Sequence, residues 1–221
     1  LLATAQVLRE DLDDPLAAEW IDRSIEEIES DFVKPELEAV METVGPAGEI
    51  IDHFDGRTLN PGHALEAAWF ILSEAWRRGG DERLTRLGTS MVDSMWRRGW
   101  DEEYGGLFYF RDLRGLPVQE YWHDMKFWWP HNEAVLAPLM AHRATGEARY
   151  AEWHRAVHNW AHEHFADPEH GEWFGYLHRD GRRSVSLKGN LWKGPFHLPR
   201  MQLLCWQALE EMGAEAPGPD G

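Results

Sequence analysis

The chain repeats itself at intervals of 66 residues, and this periodicity constrains its fold more than any other feature. The segment 104–115 (YGGLFYFRDLRG) aligns with the segment 170–181 (HGEWFGYLHRDG). A weaker copy, ELEAVMETVGPAG, ends at Gly48, which lies 67 residues before Gly115. A fixed period of this length predicts stacked supersecondary units.

Each unit is predicted to contain two helices followed by a short excursion. Apolar residues spaced by three or four positions, and prolines at helix starts, predict six helices. They cover residues 15–33, 62–78, 81–98, 131–145, 147–164 and about 200–212. The alternating runs LFYFRDLRG and WFGYLHRDG predict hairpin-like excursions. We therefore expect an all-α chain of about three helical hairpins with short β excursions, in either an open solenoid or a closed α/α toroid.

Composition excludes several classes of function. The formal charge of −17 opposes binding to nucleic acid or to an anionic membrane, and no run approaches 18 apolar residues. The single cysteine, Cys205, excludes an internal disulfide and a cysteine-based zinc site, so a cytoplasmic location is expected. The 13 tryptophans suit a carbohydrate site, although most of them are expected in the core.

Residues 1–213 are expected to form one domain, followed by a flexible Pro/Gly-rich tail at 214–221. The first residues show no signal-peptide pattern. Because the chain starts with Leu1 rather than Met, we expect a fragment.

His63 and Glu66 form the sharpest chemical motif. They lie three residues apart at an expected helix start, within NPGHALEAAWF, so they share one helix face. A carboxylate beside an imidazole fixes its tautomer and raises its basicity. The alternative is a histidine near a helix N-terminus with a glutamate that complements the helix dipole.

Two further clusters occupy equivalent helix starts. WKGPFHLPR contains His197 and Arg200 one turn apart, and KFWWPHNE ends at Glu133, 67 residues after Glu66. Two histidines at equivalent ends of a toroid would face each other across its cavity, which suits a proton-transferring pair. Each cluster alone also fits a loop histidine or a surface arginine, but their repetition favours a shared site.

Other chemistries have weaker support. His154, His158 and His162 share one helix face, but no carboxylate or cysteine accompanies them, so no metal site is predicted. Glu66 and Glu133 would suit a glycosidase, which needs two carboxylates flanking a sugar. That alternative stays open at this point.

Four stretches resemble the N-acylglucosamine 2-epimerase family, which has a renin-binding member. They are NPGHALEAAWFIL (60–72), MKFWWPHNEAVLA (125–137), DPEHGEWFGYLHRDG (167–181) and LKGNLWKGPFHLPR (187–200). The resemblance implies an (α/α)6 barrel, of which this chain is roughly the C-terminal half. Its motifs look closer to the N-acylglucosamine branch than to the cellobiose-epimerase or mannose-isomerase branches.

The resemblance implies reversible inversion at C2 of an N-acyl-hexosamine, which interconverts N-acetylglucosamine and N-acetylmannosamine. After the ring opens, a base removes the C2 proton and an acid returns one to the opposite face. The family's catalytic histidine pair matches His63 and His197. No cofactor is required, and ATP, an allosteric activator in some members, has no site that the sequence locates.

The resemblance also suggests supporting roles. Glu66 would orient or charge-couple His63. Glu133 would bind sugar hydroxyls or assist ring opening, and Arg200 would polarise the C1 oxygen. The other supporting residues are the apolar walls Trp128 and Trp129 and the adjacent His131.

An N-terminal Arg, Tyr and further His that normally complete the family's pocket have no match here. We therefore expect the chain on its own to be poorly stable and inactive, or to pair with another chain as a homodimer. The alternatives are another epimerase or an aldose–ketose isomerase of the same family, acting on cellobiose or mannose, and a non-catalytic binding protein of the renin-binding type.

Overall fold

The computed structural model describes residues 1–215, and this part of the chain is mostly helical, as predicted. Its α-helices are α1 (Leu2–Leu12), α2 (Ala17–Glu27), α3 (Pro61–Arg77), α4 (Glu82–Gly99), α5 (Trp128–Thr145), α6 (Ala148–Phe165) and α7 (His197–Glu215). A π-helical segment, Ile28–Phe32, extends α2. Among the described residues, no helix has the length and apolar character needed to cross a membrane.

The helices form two layers of hairpins. In the inner row α1, α3, α5 and α7 each pack against the next, and α2, α4 and α6 cover α1, α3 and α5 respectively. Gly79 and Gly80 make the tight turn between α3 and α4, both with positive φ. This arrangement confirms the predicted all-α fold of helical hairpins.

Two inner helices begin about three residues earlier than predicted. α5 starts at Trp128 and α7 at His197, so the prolines taken as start signals lie inside the first turn. A proline is tolerated there because the first N–H groups of a helix have no intrahelical acceptor. α7 continues to Glu215, so it includes the first two residues of the expected tail, and residues 216–221 lie outside the described range.

Short antiparallel strand pairs hold the loops in front of the inner helices. The strands are β1 (Val33–Lys34), β2 (Ala39–Val40), β3 (Thr58–Leu59), β4 (Arg111–Asp112), β5 (Lys126–Phe127) and β6 (Tyr176–Leu177). β3 precedes α3 and pairs with β4, whereas β5 precedes α5 and pairs with β6; β1 pairs with β2. Each excursion is therefore tied to the N-terminal end of an inner helix.

The 66-residue repeat extends to individual hydrogen bonds. The Gly105 N–H donates to the Asp101 carbonyl at 2.7 Å, and the Gly171 N–H donates to the Asp167 carbonyl at 2.9 Å. Both glycines have φ near +70°, a conformation that side chains other than glycine rarely adopt. The same turn is therefore built twice, which explains why these glycines recur at the same interval.

α7, at one end of the inner row, exposes apolar residues that its counterparts bury. Leu203 and Trp206 are 49% and 59% exposed, whereas Leu136 and Leu139, 67 positions earlier in α5, are 0% and 2% exposed. The register that lies in the core in α5 thus lies at the surface in α7.

α1 is held largely by polar contacts, which is why hydrophobic periodicity did not predict it. It buries only Leu2 and Ala5. Two guanidinium nitrogens of Arg9 donate to the two carboxylate oxygens of Glu74 at 2.8 Å each, and Gln6 donates to the Phe70 carbonyl at 3.0 Å. The buried Glu74 carboxylate therefore fastens α1 to α3.

Glu74→Gln is expected to lower the free energy of unfolding by about 2 kcal/mol near neutral pH, because it removes charge-assisted hydrogen bonds at a buried carboxylate. Burial raises the pKa of Glu74, but hydrogen bonds from Arg9 and Arg78 outweigh this and lower the pKa from 4.5 to about 2. The stabilisation is therefore complete above pH 4.5 and is lost as the pH falls towards 2. Urea unfolding of both proteins across this range should show the difference shrinking.

Glu82→Gln is the matched control, since Glu82 forms an exposed pair with Arg86 within α4. Such pairs contribute little to stability, so no measurable change is expected. An equal loss in the two variants, or a difference for Glu74→Gln that does not vary with pH, would contradict this account of α1.

Candidate active site

An aromatic cleft of about 840 Å³ lies at the N-terminal ends of the inner helices. His63, the third residue of α3, and His197, the first residue of α7, both line it. Its aromatic lining includes Tyr109, Trp128, Trp129 and Tyr176. The structure thus brings the two histidines and the two tryptophans singled out in the sequence to one cavity.

The indole of Trp129 contacts both histidine rings. Its ring centroid lies 4.7 Å from that of His63 and 5.6 Å from that of His197. Gly62 provides the space for this contact, because a Cβ atom at that position would lie 2.8 Å from the Trp129 ring. The glycine before His63 is therefore required by the close approach of the indole.

Three charged residues at one register of the inner helices meet beside the cleft. Glu66, Glu133 and Arg200 follow one another at intervals of 67 residues, on α3, α5 and α7. The Nη2 atom of Arg200 donates to Glu66 Oε1 at 2.5 Å and to Glu133 Oε1 at 2.7 Å. The clustering that the repeat predicted is therefore present.

Glu133 holds His197 by its Nδ1 atom. The Nδ1 atom lies 2.7 Å from Glu133 Oε1, and an ionised carboxylate can only accept, so the proton is on Nδ1. A neutral imidazole in this tautomer has its lone pair on Nε2. Glu133 itself is fully buried, so it does not reach the cleft as the expected ligand of sugar hydroxyls.

His63 is held in the same way, but by a residue that the sequence motif did not indicate. Its Nδ1 atom lies 2.8 Å from Glu42 Oε1, and the Asn60 side chain caps α3 by accepting from the His63 backbone N–H at 3.2 Å. Glu42 lies in the weak third copy of the repeat, ELEAVMETVGPAG, between β2 and β3. The position of Glu42 in that copy of the repeat was the one feature of the sequence that could have indicated its role.

Two opposing effects act on the pKa of His63. Burial lowers it, but the hydrogen bond from His63 to Glu42 and the negative charges of Glu42 and Glu66 outweigh this and raise the pKa above 6.5. His63 therefore keeps its proton to a higher pH than an isolated imidazole would.

Glu66 acts on His63 through charge rather than as its orienting partner. Its carboxylate accepts from Arg200, whereas Glu42 is the carboxylate that contacts Nδ1 of His63. Burial and the neighbouring charge of Glu133 raise the pKa of Glu66 despite its contact with Arg200. The structure therefore shows no hydrogen bond from His63 to Glu66, and charge coupling is the predicted role that fits the position of Glu66.

His131 has a structural role rather than a place in the cleft. It is fully buried, its Nε2 atom accepts from the Leu107 backbone N–H at 2.8 Å, and its Nδ1 atom lies 2.6 Å from the Phe127 carbonyl oxygen. Burial lowers the pKa of His131 to about 3. It therefore stays neutral and joins the excursion after α4 to the start of α5.

Glu66, Glu133 and His197 have ligand atoms within 4.8 Å of one another, a spacing that a metal ion also uses. The guanidinium of Arg200 donates to both carboxylates, so a cation of the chain already lies between them. The chemistry of this donor set is that of an ion-pair cluster beside a histidine.

The three histidines of α6 lie in the outer layer. The Nδ1 atom of His154 lies 2.9 Å from the Val135 carbonyl oxygen, and the rings of His158 and His162 stack with centroids 4.0 Å apart. They line neither the cleft nor the charged cluster.

Comparison with known proteins identifies the family of the chain. The family model described as N-acylglucosamine 2-epimerase (GlcNAc 2-epimerase) matches residues 2–198. The chain is 43% identical over 176 residues to the N-acylglucosamine 2-epimerase of Bos taurus and 40% identical over 178 residues to that of Homo sapiens. These matches cover 79% and 80% of this chain but 42% of each relative, so the chain spans less than half of their length.

The fold agrees as well. The solved cellobiose 2-epimerase from Spirochaeta thermophila DSM 6192 superimposes with a TM-score of 0.79 at 20% identity, over 96% of this chain and 51% of that one. At this identity the likeness concerns the fold alone, and it confirms that the hairpins form about half of an (α/α)6 barrel. Because the family model matches most of this chain, the chain belongs to the N-acylglucosamine 2-epimerase family.

Proposed function

We propose that this chain contributes the histidine pair of an isomerase that interconverts N-acyl-D-glucosamine and N-acyl-D-mannosamine by inverting C2. One observation carries the proposal: two imidazoles line the same cleft, and a carboxylate holds each of them through Nδ1. Each imidazole is thereby left with Nε2 as the nitrogen that exchanges protons.

The reaction needs two proton transfers on opposite faces of C2. In the open-chain sugar, one histidine removes the C2 proton, and electrons move to the C1 oxygen to form an enolate. The other histidine then donates a proton to the opposite face, so the C2–H bond is remade with inverted configuration. Each positioned acid or base typically contributes roughly 10²- to 10⁴-fold in rate.

The surrounding residues support this chemistry. We propose that Glu42 and Glu133 fix the tautomers of His63 and His197, and that Arg200 stabilises negative charge on the C1 oxygen with N–H groups other than those that hold the carboxylates. The aromatic cleft wall provides an apolar surface for the sugar ring and its acyl group. We propose that no cofactor takes part in the reaction.

The choice of an N-acyl-hexosamine is supported by sequence similarity. Identity is 43% over 176 residues with the bovine N-acylglucosamine 2-epimerase, against 32% over 119 residues with a D-mannose isomerase and 29% over 153 residues with a cellobiose 2-epimerase. We propose that the reaction takes place in the cytoplasm and that a second copy of the chain is a candidate partner.

Proton NMR of N-acetylmannosamine in D₂O tests this function, with the protein at a concentration at which two copies of the chain pair, because the chain on its own is expected to be inactive. Signals of N-acetylglucosamine should grow, with deuterium at C2. His63→Asn and His197→Asn should each reduce the rate by at least about 100-fold, because each removes one of the two proton-transfer groups. His158→Asn, on the outer helix α6, is the control and should leave the rate unchanged.

Deuterium incorporation that survives both substitutions would exclude the histidine pair. Exchange or isomerisation of mannose or cellobiose, with none of N-acetylmannosamine, would assign the site to another activity of the family. Binding without exchange, unaffected by either substitution, would favour a non-catalytic binding protein.

Glu42→Gln is expected to lower the pKa of His63, since the carboxylate opposes the effect of burial. The NMR titration midpoint of His63, assigned by its loss in His63→Asn, should move to lower pH. Glu36→Gln, an exposed glutamate of the same segment, is the control and should leave the midpoint unchanged. A midpoint that stays in place or rises in Glu42→Gln would show that Glu42 does not control this histidine.

A further inference from the structure

The two oxygens of the buried Glu133 carboxylate have different partners. Oε1 accepts from His197 at 2.7 Å and from Arg200 at 2.7 Å. Oε2 accepts from the indole Nε1 of Trp69 at 2.8 Å. One oxygen therefore contacts the residues of the proposed chemistry, and an indole on α3 holds the other.

The contact between Trp69 and Glu133 is fully desolvated. Both side chains are buried, and the two residues lie 64 positions apart, on neighbouring inner helices. Without the indole N–H, Oε2 would be a charged oxygen without a donor, and only the contacts of Oε1 with His197 and Arg200 would resist rotation of the carboxylate about its terminal bond. That rotation would move Oε1 away from His197.

The repeat shows that core packing alone does not require an indole at this register. The equivalent residues, 67 and 134 positions later, are Leu136 in α5 and Leu203 in α7. Leu136 is buried, so an aliphatic side chain fills the same position of the core. What distinguishes Trp69 from leucine is its N–H group, which points at Glu133.

We propose that Trp69 is a positioning residue for the reaction. By holding Oε2 of Glu133, it keeps Oε1 on His197, so that the proton of the imidazole stays on Nδ1 and Nε2 remains free for proton transfer. The proposal rests on the proposed function of the histidine pair and adds to it a residue that does not itself line the cleft.

The tautomer of His197 is the direct test, and it requires no substrate. Long-range ¹H–¹⁵N NMR of the neutral imidazole distinguishes a proton on Nδ1 from one on Nε2. Trp69→Phe removes the N–H but keeps an aromatic ring near the Arg200 guanidinium, which lies 5.2 Å from the Trp69 ring. We expect His197 to change from the Nδ1–H form to a mixture of tautomers in this variant.

Trp96→Phe is the matched control. Trp96 is also buried, but it lies on the outer helix α4 and stacks on Trp100 and Trp153, so its truncation costs packing without touching Glu133. In this variant His197 should keep the Nδ1–H form. If Trp69→Phe fails to fold, a tryptophan analogue with sulfur in place of the indole N–H, introduced at position 69, removes the donor at nearly constant shape.

The kinetic readout separates positioning from general destabilisation. In Trp69→Phe, kcat for C2 exchange should fall by about 10- to 100-fold with KM changed little, since misplacement of a reacting group affects chemistry more than binding. An unchanged His197 tautomer in the folded Trp69 variant would overturn the positioning role. If Trp69→Phe changes the tautomer of His197 but the wild type catalyses no C2 exchange, the proposed function fails and the positioning of His197 stands.

Discussion

The buried charge of Glu133 is the constraint on which the rest of the site depends. A carboxylate without water needs hydrogen-bond donors, and those of Glu133 come from α3 and α7, on either side of its own helix. Satisfying one charge therefore joins three inner helices at the same depth. The geometry of the site and the packing of the inner row consequently have a common origin.

The two histidines are alike in contact but differ in surroundings. Each presents Nδ1 to a glutamate, but the partner of His197 lies in the core, whereas Glu42 is partly exposed in a loop between strands. The carboxylate of Glu133 accepts hydrogen bonds from several donors. The carboxylate of Glu42 raises the pKa of His63. The two imidazoles of the proposed pair therefore stand in unequal electrostatic environments.

Much of the fold was predictable because the repeat fixes which residues share a register. Periodicity predicted the hairpins, and the recurrence of polar clusters at helix starts predicted that those containing Glu66, Glu133 and Arg200 share a site. The roles of single residues were less predictable, because Glu42 reaches its histidine from a loop and hydrophobic periodicity carries no information about such a contact. His131 was assigned to the site for a related reason, because it is adjacent to functional residues along the chain. It lies on another face of the helix, where backbone groups contact both of its ring nitrogens.

The contact between Gly62 and the Trp129 indole has a consequence for how this site can change over generations. A side chain at position 62 clashes with the indole, so the first substitution there is deleterious while the tryptophan remains. A smaller residue at position 129 removes only part of that penalty, because a Cβ atom at position 62 would also lie 2.8 Å from the Cβ atom of Pro130. The cost of a substitution at position 62 therefore depends on what stands at positions 129 and 130, so these three positions beside the histidines are coupled in evolution.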